Sequence, residues 1–358
     1  MGDRNEFITG WPASTPSAWI SRSEDDMIGS SKGGHLFVPT LNVFDYIEKP
    51  NEPVTILTAP SNRAYVDAPR GTAAMFHRNV DFDTLHFQMA GETVYETEFG
   101  TYASRPGEVL LVPAGISFRT TGLGQSLRLV MLTRDPLDVK INAHVGHTEY
   151  DVVWEGAPEW PTPQESALYP KGRVTESVHT WEDGPGDETL IERDYDRLVN
   201  SAITNDAQKP HSVITRLRLF DIFTEMTGKR GPGPISFEND FFFMECYNTV
   251  GEQWAYHRAN RSEEAQLQFF GAAENISEFG ADFMDAGNLY IQRRGIAHRV
   301  KGSPRYRRMV FYSREPWKLH VDPNNPPRKT TLRVSERILE TAPWRDEIVQ
   351  YLEQALKR

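Results

Sequence analysis

The sequence predicts an all-β protein: two β-barrels in tandem, preceded by an arm and closed by a helical tail. Three observations carry that expectation. Short alternating apolar stretches, broken by Gly, Pro and Asn, fill most of the 358 residues. A pattern of Gly, His and acidic residues recurs 180 positions apart, and thirteen of 52 positions agree without a gap between 71–122 and 251–302. Helical spacing of apolar residues is convincing only near the C-terminus.

Residues 1–35 are polar and rich in Gly and Ser, and are expected to form an arm that packs on a neighbouring domain or subunit. Residues 36–150 form the first barrel, typified by 109–121 (VLLVPAGISFRTT), where an apolar strand meets a Pro-Ala-Gly turn and returns. The acidic, Pro-, Gly- and Trp-rich stretch 151–205 is the connector, long enough to pack across both domains. Residues 206–325 form the second barrel, with 241–247 (FFFMECY), 265–271 (AQLQFFG) and 288–295 (NLYIQRRG) as its clearest strands. In the tail, 326–358, Trp344, Ile348, Leu352 and Leu356 recur every fourth position, and Pro343 suits the start of that helix.

Composition narrows the class. A formal charge of −11 argues against a nucleic-acid surface, and the local basic cluster Arg305, Arg307 and Arg308 reads as a solvated strand edge. The single cysteine, Cys246, rules out an intrachain disulfide and a Cys-rich zinc site, so a cytoplasmic location is the expectation. No apolar run reaches 18 residues, the first residues do not read as a signal peptide, and no P-loop or dinucleotide fingerprint occurs.

The chemistry lies in the repeat. The second copy reads Gly251, five residues, His257, one residue, Ala259, three residues, Glu263; then Gly287, five residues, Arg293, one residue, Gly295, two residues, His298. The first copy places Gly71, His77, Asn79, Asp83, Gly107, Pro113, Gly115 and Phe118 in the same slots. Two imidazoles and one carboxylate on one face of a metal leave three positions open, the arrangement of non-haem Fe(II) enzymes. His257, Glu263 and His298 are therefore the expected ligands and catalytic residues. Glu263 is preferred over its neighbour Glu264 by spacing, and Glu264 replaces it if the strand is locally irregular. With Phe118 in the third slot, the first copy is expected to be a metal-free supporting barrel, His86 being a satisfied interior histidine. Expected substrate contacts are Gln266 and Gln268, alternating into the second barrel, Tyr256 (with Trp254) before the ligand loop, and Arg293, which either clamps a carboxylate or sits on the rim. Tyr290 and Arg294 flank the same loop.

This two-part signature resembles that of the cupin superfamily on Gly251, His257, Glu263, Gly287, Gly295 and His298; two copies imply a bicupin of two jelly-roll barrels. A narrower resemblance is to homogentisate 1,2-dioxygenase, on Tyr256-His257-Arg258 with Glu263, on Glu98-Phe99-Gly100, Pro106-Gly107-Glu108, Gly115 and Phe118, and on Phe220-Asp221-Ile222. In length the chain is more similar to the large subunit of two-component hydroquinone 1,2-dioxygenases. The chain departs from that pattern at Ala259, where Asn is usual, at 225–227, where an acid–base histidine is missing, and at Ala272, where a tyrosine is usual. The resemblance implies an Fe(II)-dependent dioxygenase that uses O2 to open the ring of a hydroquinone or related hydroxyaryl compound. It also implies a homo-oligomer, and similarity to the two-component enzymes adds a small partner subunit; the charge and the lack of a long apolar run argue against nucleic acid and membrane. The competing expectations are a metal-dependent isomerase, decarboxylase or lyase acting on a small hydroxy or keto acid without O2, and a non-catalytic small-molecule binding module.

Overall fold

The computed structural model describes residues 3–9, 16–23, 40–141, 173–182, 188–194, 218–221, 232–249 and 256–327, apart from 74, 98–99, 279 and 303–305. The expected C-terminal helix and most of the connector lie outside them. The described residues are almost entirely strand, with one short 3-10 turn at Val43–Tyr46 capped by Asn42, whose side chain accepts from the Phe44 N–H. The expected all-β tandem of jelly-roll-like barrels is what forms. Among the described residues no helix is long and apolar enough to cross a membrane.

The first barrel is a twelve-stranded sheet dominated by the long hairpin of Asp83–Thr97 and Ser117–Thr133. The second is built from a six-stranded and a seven-stranded sheet. Alternation along the strands divides each barrel into a polar lumen and an apolar exterior. In Glu263–Phe270, Ala265, Leu267 and Phe269 join a core cluster with Leu85, Phe87 and Met89 of the first barrel, and Phe87 meets Phe311 edge-on at 5.7 Å between ring centroids. One apolar core thus runs between the barrels, and burying those side chains, at about 25 cal/mol per Å2, holds them together.

The 180-residue repeat extends to the pairing between barrels, which is reciprocal. Asp138–Ile141, leaving the first barrel, pairs with Pro232–Glu238 of the second, Asp138 opposite Glu238. Lys318–Leu319, leaving the second, pairs with Val54–Ala59 of the first, Lys318 opposite Thr58. Likewise Leu41–Asn42 pairs with Asn288–Gln292, and Arg218–Asp221 with Glu108–Val112. The arm also serves the second barrel: Asp3–Thr9 runs parallel to Tyr256–Ala259, as Arg173–His179 of the connector runs parallel to Phe76–Asn79. Sheet membership therefore crosses the boundaries expected at 150 and 206.

The repeated glycines are structural. Gly107 and Gly287 (φ 95° and 86°) make equivalent turns whose N–H donates to Gln88 O and Gln268 O, and Gly115 and Gly295 donate to Asn79 O and Ala259 O. The left-handed backbone at these turns favours glycine. The basic cluster is not a solvated edge. Arg307 and Arg308 are 1% and 2% exposed, because the strand Tyr306–Ser313 lies between two neighbours in mid-sheet.

Candidate metal centre

His257 and His298 face each other across the antiparallel pair formed by Tyr256–Ala259 and His298–Gly302, with ring centroids 3.9 Å apart. The third group comes from the opposite sheet, and it is Glu264. Its Oε2 lies 3.3 Å from His298 Nε2 and 3.7 Å from His257 Nε2, and the three donor atoms fall within 4.8 Å of one another. All three side chains are buried. Among the described residues this is the one group of three such side chains able to hold a metal ion.

The carboxylate expected at Glu263 is corrected by this geometry. Glu263 Oε2 points away from the histidines, accepting from the Trp317 N–H at 2.8 Å and from Arg293 Nη1 at 2.6 Å. The first barrel shows why the slot is acidic in both copies: Asp83, 180 residues earlier, accepts from the N–H of Leu137, the equivalent of Trp317, and from that of Ala114. The slot fastens the strand start to the segment that leaves the barrel. Strand parity supplies the reason for the shift. Glu264, Gln266 and Gln268 alternate onto the lumen face, so Glu263 falls on the other face with Ala265.

His298 and Glu264 are each held by a further bond. His298 Nδ1 donates to Ile296 O at 3.2 Å, because a carbonyl only accepts, and this holds the ring with Nε2 toward Glu264. Gln266 Nε2 donates to Glu264 Oε1 at 2.7 Å and stands 3.1 Å from His298 Nε2. Gln266 Oε1 accepts from Arg308 Nη1 at 2.7 Å and from Asn275 Nδ2 at 3.3 Å. Burial, and then His298, push the His257 imidazole down to about 4, so it is neutral at physiological pH. Burial opposes the Glu264 charge, but the adjacent His298 and His257 hold its carboxyl well below the usual range. A neutral His257 imidazole beside the Glu264 carboxylate suits a divalent cation, which binds only deprotonated donors.

The donor set fits a metal. At bond lengths of about 2.0–2.2 Å, ligands at right angles around one ion stand about 3 Å apart, close to the spacing of Glu264 Oε2 from the two nitrogens. Ala259 brings no fourth ligand from its strand.

Among the expected substrate residues, Gln266 and Gln268 do line the lumen, but the Gln266 amide is occupied at both ends and Gln268 Nε2 reaches Gly271 O. Arg293 Nη1 donates to Glu263 Oε2 at 2.6 Å and to Trp317 O at 2.7 Å, on the far side of the strand from the histidines. Tyr256 alternates away from His257 and packs with Ala297, with the Arg299 guanidinium 5.2 Å from its ring centroid. Asn275, Arg308 and Tyr312 are among the lumen residues not foreseen as site residues. Register would have found two of them, since Arg308 lies opposite Gln268 and Tyr312 opposite Glu264 on the neighbouring strand.

In the first barrel the same positions hold His77, Thr84 and Phe118, a single ligand-type side chain. Phe118 packs edge-on to His86 at 5.4 Å. His86 is not hydrogen-bonded as expected. Both of its ring nitrogens are buried without a hydrogen-bond partner, and burial holds its pKa well below the ordinary value.

No family model matches the chain, and no curated protein matches it. Solved structures similar to it include a cupin 2 conserved barrel domain protein from Leptotrichia buccalis (8% identity, TM-score 0.44, covering 78% of this chain and 98% of that one). Others are the protein Ylba from E. coli (7%, 0.42, 82% and 97%) and a point mutant of oxalate decarboxylase from Bacillus subtilis (11%, 0.43, 80% and 80%). The superpositions are loose, and the reading of the site rests on its own geometry.

Proposed function

We propose that the chain is a metal-dependent cupin-type enzyme whose second barrel holds Fe(II) through His257, Glu264 and His298 and opens the ring of a hydroquinone or related hydroxyaryl compound with O2. The observation that carries this is the three-donor set drawn from three strands, which leaves half of an octahedral shell for reactants. Bound there, the metal supplies Lewis acidity and a template that holds a phenolic oxygen beside O2. The protein does the rest. Ile296 O and Gln266 orient the donors, and the buried lumen excludes water. Burial raises the Tyr290 hydroxyl to about 12, so it keeps its proton at physiological pH. A cytoplasmic homo-oligomer, with a small partner subunit, completes the reading.

The test is oxygen uptake by anaerobically purified, Fe(II)-loaded protein against hydroquinones, hydroxybenzoates and catechols. The expected result is uptake with one class and a ring-opened product, abolished in Glu264→Gln and His298→Ala. Uptake that survives in both variants rejects the site. A second reading, an isomerase, decarboxylase or lyase acting on a small hydroxy or keto acid, is favoured by the polar lumen, where Arg308 and two glutamines share the cavity face. Turnover of such an acid without oxygen consumption would select it.

A further inference from the structure

We infer that Arg308 and Asn275 fix which atom of Gln266 faces the metal donors, and that this lock keeps the number of protein ligands at three. The inference rests on the metal-centre reading above. A guanidinium has donors and no acceptor, so the Gln266 atom 2.7 Å from Arg308 Nη1 must be the amide oxygen. Asn275 Nδ2 approaches the same oxygen at 3.3 Å. The NH2 end is thereby turned to the site, 2.7 Å from Glu264 Oε1 and 3.1 Å from His298 Nε2.

Both ends of the amide bear on the ligand set. An amide NH2 has no lone pair to give a cation, whereas an amide oxygen is an ordinary ligand for hard divalent ions. With the amide reversed, that oxygen would stand about as far from His298 Nε2 as Glu264 Oε2 does, at 3.3 Å, and would make a fourth ligand. The N–H on Glu264 Oε1 also occupies one carboxylate oxygen, leaving Oε2 as the single donor. Both effects keep coordination positions open for reactants. Gln266 is thus a positioning residue, and Arg308 sets its orientation.

The first barrel supports the assignment by contrast. Arg128 occupies the equivalent position, but its Nε and Nη2 are committed to Asp67 at 2.6 and 2.7 Å and its Nη1 to Tyr95 Oη. His86 stands in place of Gln266, and Tyr95 in place of Asn275. The arginine persists in both copies, while the amide lock accompanies the complete donor set.

The experiment loads wild type, Arg308→Met, Gln266→Glu and the double variant Arg308→Met/Gln266→Met with Mn(II). It measures affinity by calorimetry and counts inner-sphere waters from 17O-water broadening of the Mn(II) resonance. Wild type should retain about three waters, the complement of three protein ligands in an octahedral shell. Arg308→Met should release the amide to turn its oxygen inward, lowering the count by one and tightening binding about tenfold, a gain lost in the double variant. Gln266→Glu, which keeps a partner for Arg308 and so protects the fold, places an oxygen at both ends and should lower the count by one as well. Metal binding by wild type with an unchanged water count in both single variants overturns the lock and leaves the metal centre standing. Persistence of the Arg308→Met gain in the double variant also overturns it. A wild type that takes up no Mn(II), Fe(II) or other divalent ion overturns the metal centre, and the lock with it.

Discussion

Glu263 and Glu264 are adjacent, acidic and buried, yet the geometry gives them separate roles that two substitutions separate. Glu263→Gln replaces a carboxylate that accepts from Trp317 N–H and Arg293 Nη1. Charge-assisted hydrogen bonds contribute about 1.5–3 kcal/mol each when buried. The Arg293 side chain is 24% exposed, which discounts its share through solvent screening. The amide oxygen of the variant still accepts one bond, so the expected loss of stability is about 2–3 kcal/mol in urea denaturation, with metal affinity within about threefold of wild type. Glu264→Gln removes the anionic ligand itself. Its effect must exceed the 10–100-fold typical of losing an outer partner, so affinity falls by more than about 100-fold, or about 3 kcal/mol. The metal-free protein also loses stability, because the fold holds the Glu264 carboxyl well below the usual range and so favours its charged form. Isothermal titration with Mn(II) and urea melts on both variants decide the matter. Loss of metal in Glu263→Gln with retention in Glu264→Gln would refute the reasoning.

Two further outcomes follow from the first barrel. His77 is pushed down to about 4 by burial first and then by His179, whereas the unfolded chain titrates near 6.5. The unfolded state takes up protons first, so His77 lends its full stability above pH 6.5 and loses it as pH falls through 4; by pH 5 the loss is about 2 kcal/mol, and His86 adds in the same direction. Urea midpoints measured from pH 7 to pH 4 should fall accordingly, and an acid limb no shallower in His77→Asn would exclude His77 as a cause. Separately, Thr84→Glu with Phe118→His rebuilds the missing donors beside His77, and metal stoichiometry should rise from one to two per chain. The cost is about 2–3 kcal/mol from the lost Asn79–Thr84 hydrogen bond and Phe118 packing. A ratio fixed at one in the folded variant would show that the lumen of the first barrel cannot hold a metal.

Much of this was legible in the sequence. The gapless 180-residue offset announced two equivalent barrels, and the two histidines fell at positions that form a pair across the sheet. Spacing alone points to Glu263 as the carboxylate, whereas strand parity points to Glu264. Gln266 and Gln268 were expected in the lumen, and a strand that turns even-numbered residues inward must turn Glu264 inward too. Arg308 was hidden by composition: two adjacent arginines read as a solvated edge until the sheet order put their strand in the middle. The role of Asp83 and Glu263 depends on backbone N–H groups 54 residues downstream, a distance over which local pattern carries no information.

The reciprocal exchange of strands bears on how such a chain could have been pruned. A duplicated barrel that has lost its chemistry would ordinarily be free to drift or to be deleted. Here the first barrel supplies Asp138–Ile141 and Leu41–Asn42 to the flanks of the second and receives Lys318–Leu319 and Arg218–Asp221 in return. Cutting the gene between the repeats would leave each product with exposed sheet edges, the condition under which chains aggregate. Selection on the half that carries the His257, Glu264 and His298 cluster therefore acts on both halves. The first barrel persists as the part without which the second has no finished edge.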